Sequence, residues 1–324
     1  MYTLSEAQKL IEKHLANIKF PEDPPELYEP VNYILSIGGK RIRPALVLLA
    51  CDMFAGSVDS ALHPATAIEI FHNFTLLHDD IMDKSEVRRG QPTVHVKWNS
   101  DIAILSGDVM SILASRFMNE APGAVLRGVH NVFTRTAIEV CEGQQMDMNF
   151  EHQMTVSEEE YLQMIELKTA VLIAASLKIG AMLGGAAEKD AADLYDFGRD
   201  LGIAFQLQDD LLDVYGNPEL VGKKPGMDIV DNKKTMLMIT ALRDANTEQK
   251  KSLTGWLTAD DFDPDEKVQE VLQLFDALHV KEKVERVINN YYQEALESLN
   301  HLNTPKERKT ELFAFAEYLM ERQK

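Results

Sequence analysis

The sequence has few cysteines, few basic residues and no long hydrophobic run. Its two cysteines, Cys51 and Cys141, form neither a CxxC pair nor a zinc-ligand spacing, which argues against a disulfide framework and fits a reducing compartment. No stretch of about 18 uncharged apolar residues occurs, and the N-terminal MYTLSEAQKLIEKHL lacks the basic start of a secretory signal. We therefore expect a cytoplasmic protein that does not insert into a membrane.

Basic residues are outnumbered by acidic ones. Lys and Arg number 33 against 52 Asp and Glu, which gives a net charge of −19. Because this charge repels polyanions over long distances, we expect no binding to nucleic acid, and any anionic ligand requires a local basic site. The content of 45% apolar and 26% charged residues is typical of a folded globular protein.

Apolar residues recur at three- and four-residue intervals along almost the whole chain, and strand-like alternation is nearly absent. The pattern predicts an all-α protein. No linker of low complexity and no short repeat divides the chain, so we predict a single domain over residues 1–324. The predicted helices are 4–18, 26–37, 43–55, 61–84, 100–120, 122–150, 157–184, 190–216, 233–245, 247–258, 264–277, 279–303 and 305–322.

Two aspartate-rich segments share the DDxxD pattern, DDIMD at 79–83 and DDLLD at 209–213. In the first, Asp79 and Asp83 are four residues apart and project from one helix face, where their repulsion costs roughly 0.2–0.5 kcal/mol unless a cation lies between them. A solvated acidic face explains one such segment equally well. A second copy, Asp209, Asp210 and Asp213 within FQLQDDLLDVYG, favours two facing helices that hold a diphosphate through Mg²⁺, since oxygen-only ligands suit that ion.

Basic residues cluster in spite of the acidic composition, and each cluster alone is also compatible with a solvated surface. Taken together, such Arg and Lys groups are what two diphosphate ligands require beyond metal ions. His72, seven residues before Asp79, faces the same way and could donate to a phosphate, although a core histidine has the same spacing. Gln206, three residues before Asp209, could contact substrate or be an amide at the core edge. The clusters are Lys40–Arg43, Arg88-Arg89, Lys168, Lys223-Lys224 and Lys233-Lys234.

Along nearly its whole length the chain resembles the trans-isoprenyl diphosphate synthases, also called polyprenyl synthetases. The matching segments, in the family's order, are GGKRIRP at 38–44, LLHDDIMDKSEVRRGQP at 76–92, KTA at 168–170, FQLQDDLLD at 205–213 and VGKKPGMDIVDNKKT at 221–235. The resemblance implies a large helical bundle of the isoprenoid synthase type with a central apolar cavity. It also implies a homodimer.

The resemblance assigns roles to individual residues. Asp79 and Asp83 would bind two Mg²⁺ ions and Asp209 a third, with Asp80 in the same catalytic motif. Arg88, Lys168, Lys223 and Lys233 match the allylic diphosphate site, and the first three also count among the catalytic residues. Thr169 and Gln206 are further substrate-binding residues. The residues that match the isopentenyl diphosphate site are Lys40, Arg43, His72 and Arg89.

The implied reaction is ionisation of the allylic carbon–oxygen bond, attack by the isopentenyl double bond and loss of a proton, with diphosphate as the base. It needs no Ser, Cys or His nucleophile, and none occurs in a recognisable arrangement. In this family the product grows into an apolar tunnel beneath the first motif, whose floor here is expected to be Phe71, Phe74 and Thr75. An aromatic residue at Phe74 favours a short product, farnesyl or geranylgeranyl diphosphate.

Four other functions compete with this one. A terpene cyclase shares the metal motifs but needs no second diphosphate site, so Lys40, Arg43 and Arg89 argue against it. A phosphohydrolase built on His78-Asp79 leaves the second motif unexplained. A longer-chain synthase and an inactive partner subunit of a heteromeric synthase remain as alternatives, although both aspartate motifs are intact.

Overall fold

The computed structural model describes residues 1–216 and 225–321. The prediction of an all-α protein is confirmed, since the strands of the described chain are the two-residue β1 (Val87–Arg88) and β2 (Gln91–Pro92). The helices are α1 Leu4–Asn17, α2 Pro25–Ser36, α3 Ile42–Met53, α4 Val58–Met82, α5 Val94–Lys97, α6 Ser100–Met118, α7 Leu126–Glu151, α8 Glu158–Ile165, α9 Val171–Leu183, α10 Glu188–Tyr215, α11 Met227–Val230, α12 Met236–Asp244, α13 Thr247–Leu257, α14 Pro264–Ala277, α15 Val280–His301 and α16 Lys306–Met320.

Helix starts obey local sequence rules. Thr3 and Glu6 form a reciprocal capping box at α1, and Ser157 and Glu160 form one at α8. Each box satisfies backbone N–H groups that the first helical turn leaves without partners.

One predicted helix is interrupted. The pattern predicted a continuous helix over 157–184, but a π-helical segment, Glu166–Ala170, separates α8 from α9. Single π turns inside α-helices are frequent at functional sites. The short helices α5 and α11 were also not predicted, because four residues are too few to show a helical period.

The chain divides into two compact units. The first comprises Met1–Arg135, Ala175–Leu194 and Asn303–Glu311. In it α4 packs against α3 and α6, and residues 44–51 of α3 are all buried. A Cβ atom on Gly180 would lie 2.3 Å from the carbonyl oxygen of Val47, so that glycine lets α9 contact the backbone of α3.

The second unit comprises the described parts of Thr136–Ala174, Tyr195–Leu302 and Leu312–Lys324. Its core gathers around α12, whose residues Met236–Ala241 are all buried and which contacts α8, α14 and α15. Phe275 and Ile288 belong to the same cluster. Each unit combines segments distant in sequence, and the single domain over residues 1–324 stays a prediction.

No helix in the described parts of the chain is both long enough and apolar enough to cross a bilayer.

Candidate active site

The first aspartate motif lies at the C-terminal end of α4, in the first unit. Asp83 caps the helix, and its amide donates to the carbonyl of Asp79 over 2.8 Å, so the two residues keep helical spacing. The side chain of Asp79 is 24% exposed and that of Asp80 only 3%, while Asp83 is exposed. The motif therefore offers its outer carboxylates to ligands and buries the middle one.

The buried carboxylate of Asp80 is held by Arg88. The Nε of Arg88 donates to both carboxylate oxygens at 2.9 Å, and its Nη2 lies 2.8 Å from Oδ1. The same Nη2 is 3.9 Å from Oδ2 of Asp79. Contact through two guanidinium nitrogens is the strong, oriented form of an Arg–carboxylate ion pair. It holds Arg88, a predicted diphosphate-binding residue, beside Asp79.

A tight hairpin carries Arg88 and Arg89. Strands β1 and β2 pair with Arg88 opposite Gln91, and the two turn residues, Arg89 and Gly90, both have positive φ, 54° and 75°. Positive φ at both positions is typical of the hairpin turn that matches strand twist. Arg89 donates to the carbonyl of Gly38, and a Cβ atom on Gly39 would meet its guanidinium at 2.7 Å. The hairpin thus places Arg89 against the GGKRIRP segment.

Arg43 and His72 form the centre of the basic cluster in the first unit. Arg43 Nη1 lies 3.1 Å from Nε2 of His72. Burial lowers the pKa of Arg43 to about 10, with Glu69 opposing the shift. Burial and then the neighbouring arginines, Arg43 first, hold the pKa of His72 well below its ordinary value. Since a guanidinium only donates, Nε2 of this neutral histidine accepts and the proton resides on Nδ1.

Beneath the first motif lies an aromatic group. The ring centroids of Phe71 and Phe74 are 5.5 Å apart, and Phe74 stacks edge-on against His78 at 4.8 Å. Phe71 also contacts Phe133 at 5.5 Å. Thr75 Oγ1 donates to the carbonyl of His72 over 2.8 Å. The predicted floor residues thus include an aromatic pair in direct contact, with Phe71 buried and Phe74 partly accessible.

The second motif lies on α10, in the second unit, and shows the same division. Asp209 is exposed, whereas Asp210 is buried. Asp210 accepts hydrogen bonds from the hydroxyl of Tyr161 and from Nε2 of Gln206, the latter over 3.1 Å. Burial raises the pKa of Asp210 to about 7, the bond from Tyr161 opposes the rise, and Asp228 adds to it.

The third aspartate of this motif anchors the start of α11. The carboxylate of Asp213 accepts from the amide of Asp228 over 3.0 Å. Asp228 in turn pairs with Lys233 over 2.9 Å. Burial opposes the charge of Lys233, but the carboxylate of Asp228 outweighs it and raises the lysine pKa. Lys223, also predicted here, lies outside the described residues.

Lys168 and Thr169 are presented by the π-helical segment. A Cβ atom on Gly143 of α7 would lie 2.3 Å from the amide nitrogen of Lys168, so only glycine permits this contact between backbones. One turn further along α7, Asp147 accepts from Lys168 Nζ over 2.6 Å. Thr169 Oγ1 donates to Gln206 over 3.2 Å. The amide of Gln206 is therefore engaged within the protein on both sides.

Carboxylate donors of both motifs fit Mg²⁺. Asp79, Asp83 and Asp209 have carboxylate oxygens that solvent can reach. This suits Mg²⁺, which prefers oxygen ligands and keeps several of its water molecules. The middle acids are occupied by Arg88, Tyr161 and Gln206. Across the described residues, no three His, Cys, Asp or Glu side chains lie close enough to bind a metal among themselves. A Mg²⁺ ion held by these aspartates would therefore need water or substrate oxygens as further ligands.

Four residues that contact the predicted site escaped the sequence analysis: Glu69, Asp147, Tyr161 and Asp228. Glu69 carried one usable signal, since a carboxylate between Ile68 and Ile70 on an apolar helix needs a buried partner. Asp147 and Tyr161 are partners of predicted residues from distant segments, which no local spacing reveals. Asp228 lies in the quoted segment 221–235, five residues before its partner Lys233, but was given no role there.

The comparisons with known proteins agree on one family. A family model of polyprenyl synthetases matches residues 24–275. The chain is 45% identical to a geranylgeranyl diphosphate synthase of Methanosarcina mazei over 220 residues, 67% of this chain and 68% of that protein. It is 36% identical to a geranylgeranyl pyrophosphate synthase of Geoglobus acetivorans over 321 residues, 98% of each. A crystal structure of a geranylgeranyl pyrophosphate synthase matches with a TM-score of 0.95 at 40% identity over 100% of each chain.

The all-α fold, the two DDxxD helices and the matches to prenyl diphosphate synthases together identify the chain as a trans-prenyltransferase that acts on isoprenoid diphosphates. Since the family model spans most of the chain, the chain belongs to the polyprenyl synthetase family, and the resemblance drawn from its motifs is confirmed.

Proposed function

We propose that the chain is a short-chain trans-isoprenyl diphosphate synthase that condenses isopentenyl diphosphate with allylic diphosphates and has geranylgeranyl diphosphate as its main product. The observation that carries this proposal is the pairing of Arg43 with neutral His72 in the unit that also holds the first aspartate motif. A terpene cyclase binds one diphosphate substrate and does not need a second diphosphate-binding site such as Arg43 and His72 would form. The names of the relatives support the twenty-carbon product.

The allylic diphosphate is proposed to bind at the acidic motifs. Mg²⁺, up to three ions held by Asp79, Asp83 and Asp209, would neutralise the leaving diphosphate. Among this chain's own groups, Arg88 is oriented by Asp80 and Lys168 by Asp147, so both cations are held in place before substrate arrives. Lys223 and Lys233 are proposed to add to the same site, with Thr169 and Gln206 ordering the π-helical segment.

Isopentenyl diphosphate is proposed to bind at Lys40, Arg43, His72 and Arg89. The buried Nε of Arg43 has no hydrogen-bond partner within the described chain, and a phosphate oxygen would satisfy it. The tautomer of His72 leaves Nδ1–H as a further donor. A neutral imidazole suits this place because it adds a hydrogen bond without adding to the crowding of positive charge.

The reaction then proceeds in three bond changes. The allylic carbon–oxygen bond breaks and diphosphate leaves with the electron pair. The isopentenyl double bond attacks the resulting cation to form the new carbon–carbon bond, and a proton passes from the isopentenyl carbon to the released diphosphate. The protein contributes cations that are already oriented toward the leaving diphosphate, which stabilise its charge. It also contributes an apolar enclosure that positions the two substrates.

Product length is proposed to be limited by Phe71, Phe74 and Thr75. The contact between the two rings makes a floor that moves only if both side chains repack.

We also propose a homodimer formed through α6. While one face of α6 packs on α4, Ile104, Leu105 and Ile112 on its other side are 45%, 59% and 66% exposed. Large exposed aliphatic side chains on one helix are typical of an interaction surface. A second copy of this chain is the expected occupant, and a Leu105→Glu variant should sediment as a monomer where the wild type sediments as a dimer.

The deciding experiment incubates the purified protein with isopentenyl and farnesyl diphosphates and Mg²⁺ and measures product length. Geranylgeranyl diphosphate is expected. Products beyond twenty-five carbons would reject the short-chain proposal, hydrocarbon without isopentenyl consumption would indicate a cyclase, and no turnover with any allylic primer would indicate a partner subunit. Asp79→Ala should abolish turnover while the far-UV circular dichroism spectrum stays unchanged.

A further inference from the structure

A buried carboxylate lies among the arginines of the first unit. Glu69, on α4 and three residues before His72, is only 2% exposed. It forms a close ion pair with Nη1 of Arg41 and accepts from Nδ2 of Asn73 over 2.9 Å. Burying a carboxylate costs several kcal/mol unless it is paired and hydrogen-bonded, so this arrangement holds Glu69 in one orientation.

Arg41, the partner of Glu69, is itself buried and constrained. It is 8% exposed, and its Nη2 donates to the carbonyl of Leu35 over 2.5 Å. Its backbone is left-handed, with φ 49° and ψ 32°, a region that arginine adopts rarely. The ion pair therefore fixes the backbone of the residue that lies between Lys40 and Arg43, the two predicted ligands of the GGKRIRP segment.

Glu69 also acts on the neighbouring cations through its charge. Its carboxylate opposes the lowering of pKa that burial imposes on Arg43 and on Arg89. Without it, Arg41, Arg43 and Arg89 would repel one another in a partly desolvated space. The same carboxylate thus orients one arginine directly and stabilises the charge of two others.

We propose that Glu69 is a positioning residue of the second diphosphate site: through Arg41 it fixes the turn at 38–43 and thereby holds Arg43 and His72 in the geometry that receives isopentenyl diphosphate. Glu69 itself touches no substrate. The inference rests on the proposed function, and it goes beyond it by assigning a negative residue to the binding of a negative ligand.

The sign of the effect makes the inference testable. Simple electrostatics predicts that removing a carboxylate from an anion site tightens anion binding. Positioning predicts the opposite. Glu69→Gln keeps the shape of the side chain and removes its charge, so the two explanations differ in direction.

The experiment titrates isopentenyl diphosphate into the full-length protein by calorimetry and measures the KM for each substrate. Glu69→Gln is expected to weaken isopentenyl diphosphate binding and raise its KM at least tenfold, with the KM for farnesyl diphosphate changed less than twofold. The control is Asp200→Asn. Asp200 is similarly buried at 3% and pairs with Arg199 over 2.8 Å, but in the second unit, so its loss should leave the KM for isopentenyl diphosphate within twofold.

A double variant, Arg41→Met with Glu69→Leu, separates positioning from simple stability. Replacing a buried ion pair by apolar residues often preserves stability, so urea denaturation should match the wild type while isopentenyl diphosphate affinity remains at least tenfold weaker. Wild-type affinity in the double variant, or equal or tighter binding by Glu69→Gln, overturns the inference. If Glu69→Gln does not fold, the double variant alone decides. Wild-type protein that fails to bind isopentenyl diphosphate would refute the proposed function itself.

Discussion

Asp210 should make the metal-free protein less stable as the pH rises. Its folded-state pKa is about 7, against about 3.9 in an unfolded chain. Because the folded state binds the proton more tightly, the free energy of unfolding falls as pH increases from about 4 to 7 and is level above that range. Each unit of pKa difference between the folded and unfolded states is worth about 1.36 kcal/mol, so the difference of about three units lowers the free energy of unfolding by about 4 kcal/mol once Asp210 is ionised in both states.

Asp210→Asn removes this titration and keeps the size of the side chain. Linkage lowers the free energy of unfolding by about 1–2 kcal/mol at pH 5 and by about 4 kcal/mol at pH 8. The stability advantage of the variant over the wild type should therefore grow by about 2–3 kcal/mol between these pH values. Urea denaturation of both proteins in the presence of a chelator measures it.

The neighbouring Asp209→Asn is the matched control. It removes the same charge from an exposed position, where single substitutions change stability by about 0.5 kcal/mol or less. Parallel stability curves for the wild type and Asp210→Asn across pH 5 to 8 would refute the reasoning, since they would mean that the buried carboxylate has the same proton affinity in both states.

Three other substitutions test the site. Arg88→Met should lower the unfolding free energy by about 3 kcal/mol, because it leaves Asp80 buried without its cation; an unchanged urea midpoint would contradict this. Gly143→Ala should lower the unfolding free energy by about 1–3 kcal/mol and raise the KM for the allylic substrate, because its Cβ would lie 2.3 Å from the amide nitrogen of Lys168. The control Gly123→Ala should do neither, since a Cβ atom there would meet no atom within 4 Å. Phe74→Ala should lengthen the products seen by chromatography, and an unaltered product pattern would exclude Phe74 from the floor.

The sequence alone predicted much of the helical architecture, because long amphipathic and apolar segments carry their period over many turns. It also predicted that Asp79 and Asp83 share a face. The exposure of each aspartate was not predictable, since Asp79 and Asp80 differ only by one step around the helix. The buried one, Asp80, is paired with Arg88, which lies on strand β1 of a hairpin outside the helix.

The interruption at Glu166–Ala170 was beyond sequence reasoning for a different reason. The segment ELKTA is compatible with an ordinary helix, and what distinguishes it is the backbone contact with Gly143. A glycine on a distant helix is visible in the sequence, but its partner is not. The pairing of Glu69 with Arg41 is similar, because the two glycines at 38 and 39 mark a turn but do not indicate that Arg41 is also left-handed or that its side chain reaches Glu69.

The π-helical segment also determines how this protein tolerates changes of length. A π turn contains one more residue than an α turn, so it rotates the next helix by about 100° relative to regular winding. Deleting Glu166 or Leu167 would restore regular α-helical winding, yet it would turn Lys168 and Thr169 away relative to Tyr161. Substitutions in this stretch test side chains one at a time, whereas a single deletion would change the direction in which the whole segment presents them.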